Sequence, residues 1–500
     1  MDSFASTVNP QLVYLDGLDA RCSIIRVAIC YWYENSAKVP WDEFMPPEIL
    51  ELAFYKTLQE FPILCGYIKA DSSSRMYIEV DKNDLNMPVY TDACCNTSYT
   101  DLKESGFNIH SLPVDLSEEY GVPAPPGLVG GRIKQAYFRI IRFKDASGVL
   151  VFASIAHCLV DGYGYTQFMN RWAEISRWMQ QPHDINTEAR QPQCQYFHDR
   201  SIHTSYHINQ TSALDTFTLE SLSTGNAFTR WLTWISPETR GRVFKAISGV
   251  TNRTCCYFHI PSKTMEVLRI SVQKHAPQDT RYSMNDIITA YVTIVIAQAK
   301  EEASSTWWSK PLPSAIRTIL RSDLGKSTGF LTSIAVNIRS RINYPNVRNY
   351  MGSMVFGKSI MLPKDLVHVE PSDKTISTLA FRINQAISGT DEQYIGQLGY
   401  LLNSEPDNFM RQTLCYAKHR NKLIISSQAR FAHYSVDFGA GMPALVRHAP
   451  HAFADIAYVM PANPTTGGYE IEFNLAPDVA TNVIRNSNWM KLVEKYDSHL

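Results

Sequence analysis

His157, Cys158, Asp161 and Gly162 share one short segment, His157-Cys158-Leu159-Val160-Asp161-Gly162. An imidazole titrates near neutral pH, so His157 can take a proton and return it within one turnover. Asp161, four residues on, can orient or charge that imidazole, or it can turn away and pin the loop to a distant arginine. The spacing allows both. A plain structural alternative is that His157 fills a strand end and Asp161 caps the next helix. Loosely specified patterns of this length recur by accident, so the segment carries little weight alone. A second feature is Tyr434-Ser435-Val436-Asp437-Phe438-Gly439-Ala440-Gly441, where an aspartate followed by alternating glycines reads as a tight turn. Neither place has a second histidine or carboxylate at ligand spacing, so no metal is expected.

These residues need elements to position them. Tyr137–Phe143 and Gly148–Ala156 read as two strands joined at Asp145–Gly148, with His157 at the end of the second. Gly162 and Gly164 make the following turn flexible enough for a side chain to face a cleft. A helix then follows, with Phe168, Met169, Trp172, Ile175 and Met179 on one face. Upstream, Ser23–Trp32 and Met76–Val80 read as strands, and Pro47 to Phe61 as an amphipathic helix ending before Pro62. A Pro-rich turn is expected at 123–127. Residues 180–230 are polar and irregular and are taken as a crossover linker near a lobe boundary. In the second half, strands are expected at 256–260, 331–338, 422–427 and 469–474. A helix leads on from Pro261, and Ser283 to Asp286 cap a longer apolar helix, Ile287–Ala299. Mixed order without βαβ regularity favours a mixed α/β sandwich over a doubly wound sheet. Neither a GxGxxG following a strand nor a GxxxxGK[ST] is present, which gives no support to nucleotide binding of those types.

Five hundred residues suggest two packed lobes, here 1–200 carrying the His157 segment and 201–500 carrying the Asp437 turn. The 45% hydrophobic and 19% charged content is that of a globular protein. A net charge of −1 with no basic run argues against nucleic acid or an anionic membrane as partner. The ten cysteines form no CxxC pair, and two of the pairs are adjacent residues, which suits free thiols in a reducing cytoplasm. The N-terminus lacks the features of a signal peptide, so the sequons at Asn96, Asn209 and Asn252 read as chance matches. No apolar run is long enough to span a bilayer.

Taken together and about 280 positions apart, the two motifs resemble those of the plant and fungal BAHD acyltransferase family, HxxxDG and DFGWG. The stretch Val336-Asn337-Ile338-Arg339-Ser340-Arg341 to Pro345, continuing to Tyr350-Met351-Gly352, is similar to the family's VDxRxR…YxGN run. Ser426-Ser427-Gln428-Ala429-Arg430 before Tyr434 resembles its TSWxR…Y run. Leu15-Asp16, Phe61-Pro62-Ile63-Leu64-Cys65-Gly66 and Gly467-Gly468-Tyr469 also match, so the resemblance covers nearly the whole chain. There are departures. Ala440 and Gln428 stand where the family has Trp, Asn337 where it has Asp, and Ser353 where it has Asn.

The resemblance implies an α/β fold of two chloramphenicol-acetyltransferase-like lobes, with mixed sheets packed by helices and joined by a crossover loop. It implies His157 as general base, activating a hydroxyl or amine of a small-molecule acceptor toward the thioester of acyl-CoA, a co-substrate and not a bound cofactor. Ser426 and Gln428 become candidate donors to the acyl carbonyl oxygen. Asp161 would pair with Arg339 or Arg341, which the resemblance does not separate. Gly162, Asp437, Gly439 and Gly441 would shape loops. Cys158 is then a packing residue, because no covalent acyl-enzyme is needed. A monomer is expected. Two other readings compete. One is a condensation-domain-like enzyme using a carrier-bound acyl group or closing a ring, although such domains usually place a second His where Ala156 stands. The other is a non-catalytic binding protein on the same fold.

Overall fold

The computed structural model describes residues 6–21, 25–72, 75–109, 133–181, 192–223, 253–307, 329–404, 421–450 and 455–495, with a few isolated positions besides. The Pro-rich turn expected at 123–127, the sequon at Asn252, and Cys22 and Cys415 lie outside them.

The strand Gly148–Ala156 is buried at every position. Its continuous apolar run follows from cover on both faces. Val149, Val151, Ala153 and Ile155 enter one core, shared with helices Pro47–Glu60 and Gly162–Gln180. Leu150 and Phe152 enter another, beside Trp32 and Phe143. This strand is central in a five-stranded sheet ordered Leu445–His448, Arg26–Glu34, Gly148–Ala156, Ala136–Arg142, Val89–Cys94. All of its pairs are antiparallel except the last. One strand from the far end of the chain therefore completes the first lobe's sheet.

A seven-stranded sheet builds the second lobe, in the order Val355–Pro363, Gly329–Asn337, Lys422–Ser427, Ile456–Pro461, Tyr469–Leu475, Thr254–Ile260, Glu494–Lys495. Lys422–Ser427 runs parallel to both of its neighbours and the other pairs are antiparallel. Leu423, Ile425, Ala457, Val459, Ile471, Phe473 and Leu475 alternate onto one face, in a core shared with helices Met284–Trp307, Asp373–Ser388 and Pro477–Arg485. A small third sheet joins Gln11–Tyr14, Met76–Val80 and Tyr67–Ala70. The molecule is thus a mixed α/β fold of two lobes, each a sheet packed by helices.

The hairpin expected at 145–148 is present: Ala136–Arg142 and Gly148–Ala156 pair antiparallel across a short 3₁₀ segment, Lys144–Ala146, with Asp145 and Ala146 at φ 58° and 51°. One expectation needs correction. The described part of 180–230 is no loose linker. It forms helices Ser201–Thr204 and Thr216–Ser223 and buries Arg200, Ile202 and His203. Its buried apolar residues, Ile202, Tyr206 and Leu214, follow no sustained helical or strand period and are joined by polar contacts such as Arg200–Asp19, so a search for apolar periodicity passes over it.

Candidate active site

Every residue of Gly148–Ala156 is buried, and His157 is the first on that path to be only half-buried, with Cys158 fully buried after it. The backbone N–H of His157 donates to the Ile25 carbonyl at 2.9 Å, extending the sheet register by one residue and fixing the base of the side chain. The chain then turns through 157–159 into the helix Gly162–Gln180.

Asp161 faces away from this strand end. It is the N-cap of that helix, accepting from Gly164 N at 2.8 Å. The same carboxylate accepts from Arg339 Nη1 and Nη2 at 2.6 and 3.1 Å and from Met354 N at 2.9 Å. Asp161 and Arg339 are 2% and 3% exposed, so the pair is sealed from water. Burial alone would raise the Asp161 pKa, but the Arg339 charge and these hydrogen bonds outweigh it and hold the carboxyl below its usual range. Arg339 also donates to the carbonyls of Tyr350 and Gly352, at 3.1 and 2.6 Å through Nη2. Arg341 lies elsewhere: its Nη1 donates to Ile387 and Thr390 carbonyls, both at 2.8 Å, and so closes the C-terminal end of helix Asp373–Ser388.

The glycines of this turn are forced by proximity. A Cβ on Gly164 would stand 2.1 Å from the Met351 carbonyl oxygen, and one on Gly162 would stand 3.1 Å from Gln428 Nε2. Gln428 and the His157 loop are therefore neighbours across the lobes. A second clamp comes from the supposed linker. Buried Arg200 pairs with Asp19 at 3.1 Å and donates to the Leu159 and Cys158 carbonyls at 2.9 and 3.4 Å. The two carbonyls that follow His157 are thus held by a charged donor, and such bonds are about twice as strong as neutral ones.

On the second lobe, register places Ser426, Tyr458, Glu472 and Tyr257 side by side across four strands. All four share the face opposite the helix-covered core, and Ser426 is half-buried. Against this row stands His448, from the strand lent to the first lobe. Its ring stacks on Tyr458 at 3.7 Å, and its Nδ1 lies 3.1 Å from Glu472 Oε2. Gln428, 5% exposed, bridges His448 Nε2 through its Nε2 at 3.0 Å and His433 Nε2 through its Oε1 at 2.8 Å. His448, Glu472, His433 and Arg200 were not singled out from sequence. The signal lay in Tyr469–Leu475, where Glu470, Glu472 and Asn474 alternate with Ile471, Phe473 and Leu475, a polar stripe on a strand buried at nearly every position.

The Asp437 turn lies at the far end of helix Gly162–Gln180, which at 1.5 Å per residue is roughly 28 Å from Asp161. Asp437 Oδ1 accepts from Gly439 N and Gly441 N at 2.8 and 2.9 Å, and the glycines hold φ of 98° and 85°. Gln180 Nε2 donates to the Phe438 carbonyl at 2.6 Å, Arg177 donates to the Asp437 carbonyl, and the Phe438 ring packs on Trp172. Ala440 rests against the first lobe's core.

Among the described residues, no cluster of three or more His, Cys, Asp or Glu side chains could hold a metal, and no helix is long and apolar enough to cross a membrane.

Comparison with known proteins adds the lineage. The model of the Transferase family matches residues 5–224 and 315–483. Among solved structures, F. graminearum TRI101 complexed with coenzyme A and T-2 mycotoxin superposes with a TM-score of 0.68 at 14% identity, covering 97% of this chain and 100% of that one. Vinorine synthase gives 0.59 at 14% identity, covering 98% of each chain. The first condensation domain of the CDA synthetase gives 0.53 at 12%, covering 98% and 99%. At such identities these likenesses speak for the fold. The family match spans well over half of the chain, and with HxxxDG and DFGxG in their places the chain belongs to the Transferase family of BAHD acyltransferases.

Proposed function

We propose that this chain moves an acyl group from acyl-CoA to a hydroxyl or amine of a small-molecule acceptor, with His157 as general base. The observation that carries this is the state of His157. It alone in its buried strand-and-turn segment keeps partial exposure, while Asp161–Arg339 and Arg200 immobilise the loop around it. A rigid loop around one partly exposed histidine suits proton transfer, because a base must sit within hydrogen-bond reach of the proton it takes.

The His157 imidazole takes the acceptor proton as the acceptor's oxygen or nitrogen forms its bond to the thioester carbonyl carbon. The carbonyl π pair moves onto oxygen. When that pair returns, the carbon–sulfur bond breaks, and the imidazolium gives its proton to the leaving thiolate. Ser426 and Gln428 are the proposed donors to the transient oxyanion, and a preorganised donor in such a place is worth about 10²–10³ in kcat. Asp161, Gly162, Arg339, Asp437, Gly439 and Gly441 serve shape, and Arg341 closes a distant helix. Cys158, buried with no exposure, is a packing residue. The TRI101 structure carries coenzyme A and T-2 mycotoxin together, and a CoA thioester with a small-molecule acceptor is proposed here, bound by a cytoplasmic monomer with no resident cofactor.

The test is release of free CoA thiol from acetyl-CoA, scanned over aliphatic and phenolic alcohols and amines. His157→Ala should abolish the acceptor-dependent release. Undiminished release by that variant would overturn the assignment of the base.

A further inference from the structure

Five buried groups join in one line across the two lobes. Tyr31 Oη lies 3.1 Å from His433 Nδ1, His433 Nε2 lies 2.8 Å from Gln428 Oε1, Gln428 Nε2 lies 3.0 Å from His448 Nε2, and His448 Nδ1 lies 3.1 Å from Glu472 Oε2. None of the five is more than 8% exposed. Such a line has two possible directions, and one end decides between them. A carboxylate only accepts. The oxygen Oε2 of Glu472 also takes the backbone N–H of His448 at 3.1 Å, so it stays turned to that residue. In its neutral form His448 therefore carries its proton on Nδ1 and leaves Nε2 as a lone pair. Gln428 must then turn its NH₂ toward His448 and its oxygen toward His433. His433 answers with Nε2–H and accepts from the Tyr31 hydroxyl on Nδ1. Burial pushes the His433 pKa down to about 3, so that ring is neutral and has one donor and one acceptor to offer. The opposite direction would set the Nδ1 lone pair of His448 against a carboxylate at 3.1 Å, or require a second proton on that buried ring.

We infer that Glu472, acting through His448, is a positioning residue that fixes the Gln428 carboxamide with its nitrogen toward the Gly162 end of the site. The amide nitrogen has two hydrogens and His448 uses one. The other is free to serve as the donor assigned to Gln428 under the proposed acyl transfer, a role on which this part of the inference rests. The family's indole at this position needs no such orientation. An amide does, because a half-turn would replace an N–H with a lone pair, and a lone pair repels a developing oxyanion.

The tautomers can be read directly by NMR on protein labelled with ¹⁵N-histidine. Wild type should show His448 protonated at Nδ1 and His433 at Nε2. Glu472→Met removes the acceptor and releases the line to reverse, moving the protons to His448 Nε2 and His433 Nδ1. Glu472→Gln keeps an oxygen facing the His448 backbone and should keep the wild-type tautomers. With acetyl-CoA and the best acceptor from the panel above, Glu472→Met should lose at least tenfold in kcat, while KM for acetyl-CoA stays within twofold and Glu472→Gln recovers kcat. A wild-type His448 protonated at Nε2 overturns the inference even if Glu472→Met does not fold. So does a Glu472→Met protein with unchanged tautomers, or with reversed tautomers and undiminished kcat. Failure of the wild type to turn over any acceptor counts against the acyl-transfer proposal and leaves the tautomer result standing on its own.

Discussion

Replacing Asp161 with alanine removes the one anion in a sealed contact and leaves Arg339, 3% exposed, with a full charge and no counter-charge in place. Breaking one partner of a buried ion pair costs about 3–5 kcal/mol. Arg339 keeps the carbonyls of Tyr350 and Gly352, which argues for the lower part of that range. Two further losses add to it: the cap on Gly164 N, about 1 kcal/mol, and the acceptor for the buried Met354 N–H, about 1–3 kcal/mol. A total near 5 kcal/mol is comparable to the whole stability of many domains. Spread over a lobe of this size it lowers Tm by on the order of 10 °C. Thermal unfolding followed by circular dichroism, with soluble yield alongside, measures it. Asp161→Asn with Arg339→Met supplies the second half of the argument: with the charge gone from both sides, the double variant should melt above Asp161→Ala. An Asp161→Ala protein that melts within about 2 °C of wild type and turns over normally would refute the reasoning, since no buried charge could then have been stranded.

Gly164→Ala pushes a methyl into the Met351 carbonyl and should cost about 1–3 kcal/mol, whereas Gly441→Ala meets nothing within 4 Å and should cost only the left-handed backbone strain of about 1–2 kcal/mol, both read as Tm shifts. His433 stays neutral when folded because burial holds its pKa near 3, while the unfolded imidazole titrates near 6.5. The unfolded state thus binds more protons between those values, so stability should fall as pH drops from about 6.5 toward 3, and His433→Gln should flatten that part of a Tm-against-pH curve. Under native conditions iodoacetamide should label the exposed Cys94 and spare the buried Cys158, and Cys158→Ala should keep His157-dependent thiol release; loss of turnover in that variant would restore Cys158 as a nucleophile.

Much of this architecture is readable from the chain. The strand Gly148–Ala156 and the helix after Asp161 announce themselves through apolar run and period, since burial is what those patterns encode. Lys422–Ser427 and Met76–Val80 are found to the residue, being short β-branched or alternating runs. The strands Leu445–His448, Ile456–Pro461 and Val355–Pro363 were not marked, nor were the helices Asp373–Ser388 and Glu392–Ser404. The first of these strands is four residues long and includes an arginine and a histidine, so tertiary pairing with Arg26–Glu34 decides its conformation and local preference does not. At the site, spacing left Asp161 with two roles and two arginine partners. Only the path of the chain distinguishes Arg339, beside Tyr350 and Gly352, from Arg341, two residues on and facing another helix. The line from Tyr31 to Glu472 joins residues more than 400 positions apart, and no local pattern reports such a meeting.

The strand Leu445–His448 also bears on how the molecule is made. A growing chain will have emitted all of Arg26–Glu34, Gly148–Ala156 and Ala136–Arg142 long before residue 445 leaves the ribosome. At about 5–20 residues per second, the wait from residue 156 to residue 448 lasts roughly 15–60 seconds. Through that interval the Arg26–Glu34 edge, which includes Ile29, Tyr31 and Trp32, has no partner on its outer side and is open to pairing with other nascent chains. Synthesis of this protein thus depends on protection of one apolar strand edge until residue 448 has been made, and a first lobe expressed without residues 445–448 should be recovered as aggregate.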